Sequence, residues 1–181
     1  MHVHRTVVPG ALLLDPSLPP PGHAGPTEPG GVPTGFRFRR RHRLDDGAVH
    51  GLHGNPTGPV LLGVSHGSGY AVVVDARPAA ETFGRLAVAL LDADTRQRLL
   101  VPPGCLYGAQ AVGGRALVEV RSGARCPRGE RIVVDPDDAD LGLRWLRPRP
   151  KHVPGPARSW AGLCTRLGGP AGPRRDRVSI W

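Results

Sequence analysis

The sequence predicts an all-β fold, a sandwich or barrel. Short apolar and β-branched runs recur roughly every ten residues, with turn signals between them. Helical periodicity is nearly absent. The 181 residues include 26 glycines and 21 prolines. Proline crowds into Pro16–Pro33 and Pro148–Pro173 and leaves an ordinary apolar pattern between them. That is the composition of a compact middle with loop-rich ends.

The elements follow in order. Phe36 and Phe38 sit two apart, as on the buried face of a strand, with Arg37 and Arg39 outward. Ala48–His53 is a short run ended by Gly54-Asn55-Pro56. Pro59–Ser65 and Tyr70–Asp75 are apolar runs, and His66-Gly67-Ser68-Gly69 between them reads as a hairpin turn. Phe83–Leu91 is a further apolar segment. Arg98–Val101 runs into the rigid turn Pro102-Pro103-Gly104. Arg115–Val120 and Arg131–Val134 complete the strands. Asp92–Arg96 and Trp160–Leu167 alone have room for a turn or short helix. Asp75 and Arg77 are expected as a structural pair at a strand end. Residues 1–150 are expected as a single barrel domain with a Pro/Gly-rich loop over 15–35. Residues 151–181 are expected as a basic Pro/Gly-rich segment, packed on the barrel or partly disordered.

The formal net charge is +9 and the pI near 11.0. Such charge attracts anions. Its sharpest cluster is Arg37-Phe38-Arg39-Arg40-Arg41-His42-Arg43. The single lysine and heavy Ala, Gly, Pro and Arg usage indicate a coding bias that raises arginine without function. No nucleic-acid reading motif accompanies the charge, so nucleic acid is not an expected partner. Three cysteines (Cys105, Cys126 and Cys164) lack metal-ligand spacing, and a reduced, cytoplasmic protein is expected. Val7–Leu14 is too short and broken for a signal or membrane segment, so no membrane partner is expected.

Several motifs stand in an informative order: Val7-Val8-Pro9-Gly10-Ala11-Leu12, Gly51-Leu52-His53, Val72–Arg77 and Thr82-Phe83-Gly84-Arg85. Val101-Pro102-Pro103-Gly104 with Gly108, Glu130-Arg131 and Asp140–Trp145 follow. Together, over residues 7–14 and 47–145, they resemble the dTDP-4-dehydrorhamnose 3,5-epimerase family. The resemblance implies an RmlC-like cupin β-barrel (jelly roll), a homodimer, and chemistry without metal or organic cofactor. It does not cover residues 15–46 or the tail after Pro148.

In that family a histidine base removes a proton beside a ketone, a lysine and other donors stabilise the enolate, and a tyrosine returns the proton from the opposite face. By resemblance His53 is the base. The family's phosphate-binding arginine is replaced by His50, its lysine falls at Val60, and its tyrosine at Arg125. The aspartate that orients the base falls near Ala161-Gly162, and the histidine of the Pro-Pro-Gly turn becomes Tyr107. His53 and Tyr107 are therefore the candidate catalytic residues, and His50, Val60, His66 and Arg125 the candidate substrate contacts. No metal ligands are assigned: His50, His53 and His66 lack the downstream Glu usual in cupin metal sites.

Three functions follow. The substitutions at 60, 107 and 162 predict a less charged pocket. A hydrophobic natural-product intermediate would suit such a pocket, cyclised or isomerised without cofactor, cycloaddition included, through orientation alone. The alternatives are a dTDP-4-keto-6-deoxyhexose 3,5- or 3-epimerase with His53 as base and Tyr107 as acid, and a non-catalytic binding subunit.

Overall fold

The computed structural model describes residues 2–16, 27–28, 32–33, 35–127, 130–148, 159–168 and 178–180. Its strands are β1 (His2–Arg5), β2 (Leu12–Asp15), β3 (Thr27–Glu28), β4 (Val32–Pro33), β5 (Phe38–Leu44) and β6 (Val49–Gly54). They continue with β7 (Val60–Asp75), β8 (Leu86–Asp92), β9 (Arg98–Val101), β10 (Cys105–Ser122), β11 (Ile132–Val133) and β12 (Val178–Ile180). The helix α1 spans Trp160–Leu167. Strands dominate, and the cupin-type barrel expected from the motifs is the observed architecture.

The antiparallel pair β7 and β10 is the spine, paired from Cys105↔Asp75 to Ser122↔Val60 with register shifts between Val112 and Val118. Both strands bend midway. Gly67 (φ 69°), Gly113 (φ 76°) and Gly114 (φ 134°) take the left-handed conformations that the bend needs. A Cβ on Gly67 would collide with the Arg115 carbonyl oxygen. The bend carries each strand from one sheet into the other. Val60–Val64 joins β9, β2 and β1, while Val118–Ser122 joins β5. Beyond the bend, β8 and β12 flank β7, and β6 and β11 flank β10.

The hairpin expected at His66–Gly69 is thus a correction: 60–75 is one bent strand. Glycine at a hairpin and glycine at a bulge leave the same local signature. Arg115–Val120 is likewise part of the longer β10. Phe36 is buried against Leu14 and Leu61, but it precedes β5, and Phe38 is exposed. Arg39 and Arg41 surround the nearly buried carboxylate of Glu119 at 3.7 and 3.2 Å, with Arg121 at 2.6 Å. Part of the arginine run is therefore structural.

The barrel interior is filled by alternate residues of both sheets, including Leu62, Val64, Val73, Leu91 and Val118. The opposite face of the β6–β10–β7–β8 sheet is covered by α1, whose Trp160 and Leu163 pack with Leu52, Val72, Val74 and Leu106. Ser159 caps α1, accepting from the Gly162 backbone N–H, and Gly168 ends it in the left-handed conformation. Asp75, fully buried, accepts from Arg77 Nη2 at 2.7 Å, Arg77 Nε at 2.9 Å, the Arg77 backbone N–H at 3.0 Å, the Thr82 hydroxyl at 2.5 Å and, more distantly, the Cys105 thiol at 3.8 Å. The expected strand-end pair is present. Of the Pro/Gly-rich stretches, the parts over 17–26, 29–31, 34, 149–158, 169–177 and 181 lie outside the described residues.

Candidate functional site

The site begins with a bulge. In a regular strand, residues three apart face opposite sides. His50 and His53 nevertheless share one face, because Gly51 and Leu52 together oppose the single residue Gly108. His50 pairs with Ala109 and His53 with Tyr107. Gly51 has φ 126°, and a Cβ there would stand 2.7 Å from Gly108 Cα and 2.8 Å from the Tyr107 carbonyl oxygen. A Cβ on Gly108 would stand 2.8 Å from Leu52 Cδ2. The Gly-Leu-His run and the glycine after the Pro-Pro-Gly turn are two halves of one backbone contact. It turns Leu52 toward α1 and both histidines into the barrel.

A third histidine completes the cluster. On β5, Phe38, Arg40 and His42 alternate onto the cleft side. His42 stacks on His50 with centroids 3.6 Å apart. His50 meets His53 edge-on at 4.7 Å, and His53 meets Tyr107 at 6.2 Å. His42 Nε2, His50 Nε2 and His53 Nδ1 are buried without a hydrogen-bond partner among the described residues. Burial, then the charge of Arg131, then His42, pushes the His53 imidazolium down to about 3. Burial, His42, His53 and Arg131 push His50 down to about 2. Both rings are neutral at pH 7. The Tyr107 hydroxyl is raised above its ordinary value by burial, which outweighs the opposing charge and hydrogen bond of Arg131, so it keeps its proton.

An open cleft of about 210 Å³ lies beside this cluster. Tyr107, His42, Val60 and Val120 form its inner wall, and Asn55 and Ser122 add polar groups. Arg39, Arg40, Arg125 and Arg131 also line it, and no described Asp or Glu does. The cleft is therefore cationic, which corrects the expectation of a less charged pocket. The lysine lost at Val60 is outnumbered by arginines from β5 and from the segment after β10.

Among the expected site residues, Val60, Tyr107 and Arg125 line the cleft. His53 and His50 stand next to its lining, behind His42 and Tyr107. His66 is not brought in. It is exposed at the bend, opposite Leu117, about 20 Å along β7 from Val60 at roughly 3.3 Å per residue. Arg125 lies over the Phe38 ring at 5.3 Å, and its permanent charge bars it from acting as an acid. Ala161 and Gly162 are exposed on α1, on the other side of the sheet, and cannot orient His53. Sequence reasoning missed Arg40, His42, Arg131 and Cys126 as cleft residues. The alternation Phe38-x-Arg40-x-His42 was the available signal. Among the described residues, no group of three or more His, Cys, Asp or Glu side chains is placed to hold a metal ion, and no helix is long and apolar enough to cross a membrane.

Two bent sheets enclosing histidines and an arginine-lined cleft define a cupin-type barrel. The chain belongs to the dTDP-4-dehydrorhamnose 3,5-epimerase family, whose profile matches residues 28–159. It is 33% identical over 81 residues to the dTDP-4-dehydrorhamnose 3,5-epimerase of Escherichia coli K12. That match covers 43% of this chain and 44% of the relative, so it spans under half of the relative's length. The fold is similar to the rmlC epimerase of Mycobacterium tuberculosis (TM-score 0.78, 22% identity, 97% of this chain and 95% of that one). It is also similar to NovW, a 4-keto-6-deoxy sugar epimerase of Streptomyces spheroides (TM-score 0.77, 18% identity, 96% and 94%). The Bacillus anthracis dTDP-4-dehydrorhamnose 3,5-epimerase, solved with TDP and PPi bound, matches with TM-score 0.70 at 25% identity, over 82% and 92%.

Proposed function

We propose that this protein binds a dTDP-linked 4-keto-6-deoxyhexose and, as an epimerase, removes a hydrogen beside its ketone, with His53 as base. The observation that carries the reading is the cleft itself: four arginines, no described carboxylate, and a neutral imidazole immediately behind the wall. Arginine forks match phosphate oxygens, and a diphosphate supplies the negative charge that this cleft lacks. The relatives solved with TDP or a dTDP-sugar support the same ligand class.

The chemistry needs an unprotonated base and a protonated acid at neutral pH. His53 is the first, and Tyr107, its register partner, is the second. Imidazole takes the proton from carbon, the C–H pair forms the enolate double bond, and the carbonyl pair moves to oxygen. The phenol returns a proton to the opposite face of that carbon, and the imidazolium loses its proton to solvent while the phenolate regains one from solvent. Neither step uses a metal or organic cofactor. The same reading includes a cytoplasmic homodimer, which sedimentation would show as twice the chain mass. The cyclase reading keeps only Val60, Val120 and Phe38 as apolar support.

Calorimetric titration tests the ligand class. Thymidine diphosphate is expected to bind, uncharged thymidine at least tenfold more weakly, and affinity to fall with added salt. Equal binding of the two, or none at millimolar concentration, would overturn the reading.

A further inference from the structure

The family's lysine position is Val60, whose side chain is apolar and packed in the wall. An enolate oxygen formed there would need another cation. Arg131 stands immediately before β11, and the pairing Ile132↔Gly54 and Val133↔His53 sets that segment against the end of β6. Its side chain lines the cleft with Tyr107 and Val60. Its positive charge acts on His42, His53 and Tyr107. It forms no ion pair within the described residues, whereas Arg39 is engaged by Glu119 and Arg125 lies over Phe38.

We propose that Arg131 is the catalytic cation of this site: it takes over the enolate-stabilising role left empty at Val60 and holds the Tyr107 phenol in position to return the proton. The proposal rests on the reading of His53 as base. Its physical basis is a guanidinium without an ion pair among the described residues, lining the cleft with the acid Tyr107 and acting on the base His53, in a partly desolvated wall where a fixed charge acts strongly on a developing oxyanion. A guanidinium offers several donors in a fixed plane, so it can serve the phenol and an enolate oxygen together. No group is consumed: Arg131 stays protonated throughout.

The test compares wild type, Arg131→Gln and Arg131→Lys in solvent deuterium exchange with a dTDP-4-keto-6-deoxyhexose. For Arg131→Gln, kcat is expected to fall about 10²-fold, with KM changed only a few-fold, and Lys to restore part of the loss. A second readout needs no turnover. The chain has two tyrosines, Tyr70 and Tyr107, and Tyr107→Phe identifies which alkaline tyrosinate absorbance step belongs to Tyr107. Arg131→Gln is expected to move that step to higher pH, because it removes a cation that favours the phenolate. An active wild type with an unimpaired Gln variant would overturn the proposal alone, as would a loss confined to KM or an unmoved Tyr107 step. A wild type without exchange would overturn the reading of His53 and the enolate role together.

Discussion

Lowering the pH from 7 to 5 is expected to remove about 4 kcal/mol of folding stability. The His50 and His53 rings are held neutral by burial and by the positive charge around them, at about 2 and about 3. In the unfolded chain both titrate near the ordinary 6.5. Above that value neither state binds the proton, and stability is complete. As the pH falls below it, the unfolded chain takes up protons that the folded chain refuses, so stability declines until the folded values are reached. At pH 5 this amounts to about 2 kcal/mol for each histidine, a large share of the roughly 5–15 kcal/mol that holds a domain together. The Tyr107 hydroxyl beside the cluster, raised by burial, keeps its proton throughout this window. The buried carboxylates Asp75 and Glu119, held low by their arginines, contribute only at lower pH. Thermal denaturation should show a melting temperature about 8–16 °C lower at pH 5 than at pH 7, and His50→Gln should remove about half of that slope. A melting temperature flat across this window would contradict the neutral-histidine account.

Gly51→Ala is expected to cost about 4 kcal/mol of folding stability. The left-handed φ of 126° strains any side chain, at about 1–3 kcal/mol. The added Cβ meets backbone on the facing strand, Gly108 Cα at 2.7 Å and the Tyr107 carbonyl oxygen at 2.8 Å, and such overpacking costs a further 1–3 kcal/mol or so. Neither neighbour is a side chain that can swing away. The strands must part, which separates His53 from Tyr107 and breaks the bulge that aligns His50 with His53. Urea denaturation measures the loss, and a cost under about 1 kcal/mol would show that the two strands are less closely packed than described.

Much of the fold was legible in the sequence. Arg98–Val101 and Trp160–Leu167 appear with the bounds that their patterns predicted. The motifs containing Gly51 and Gly108 pointed to the barrel, because backbone of the facing strand leaves no room for a side chain at Gly51 and Leu52 crowds Gly108. The bends in β7 and β10 were hidden, since a run broken by Gly67 or by Gly113-Gly114 reads the same whether the chain reverses or passes between sheets. The site was harder to see. The spacing of His50 and His53 puts them on opposite faces until the bulge is known. His42 lies on another strand, inside a run of arginines whose charge drew the eye to solvent. Arg131 belongs to a recognised motif, but only the short pairing of β11 with β6 turns it toward the cleft. The cleft's charge was misjudged for one reason: matching lost residues to positions shows what disappeared, not which arginines moved in.

As the proposed base, His53 is expected to labilise a hydrogen beside the ketone of a dTDP-4-keto-6-deoxyhexose. Mass spectrometry of that sugar nucleotide after incubation in deuterium oxide tests it directly. The expected result is a gain of deuterium at carbon adjacent to the ketone with the wild-type protein, and background exchange with His53→Ala. No gain at high wild-type concentration, or an equal gain with His53→Ala, would contradict it.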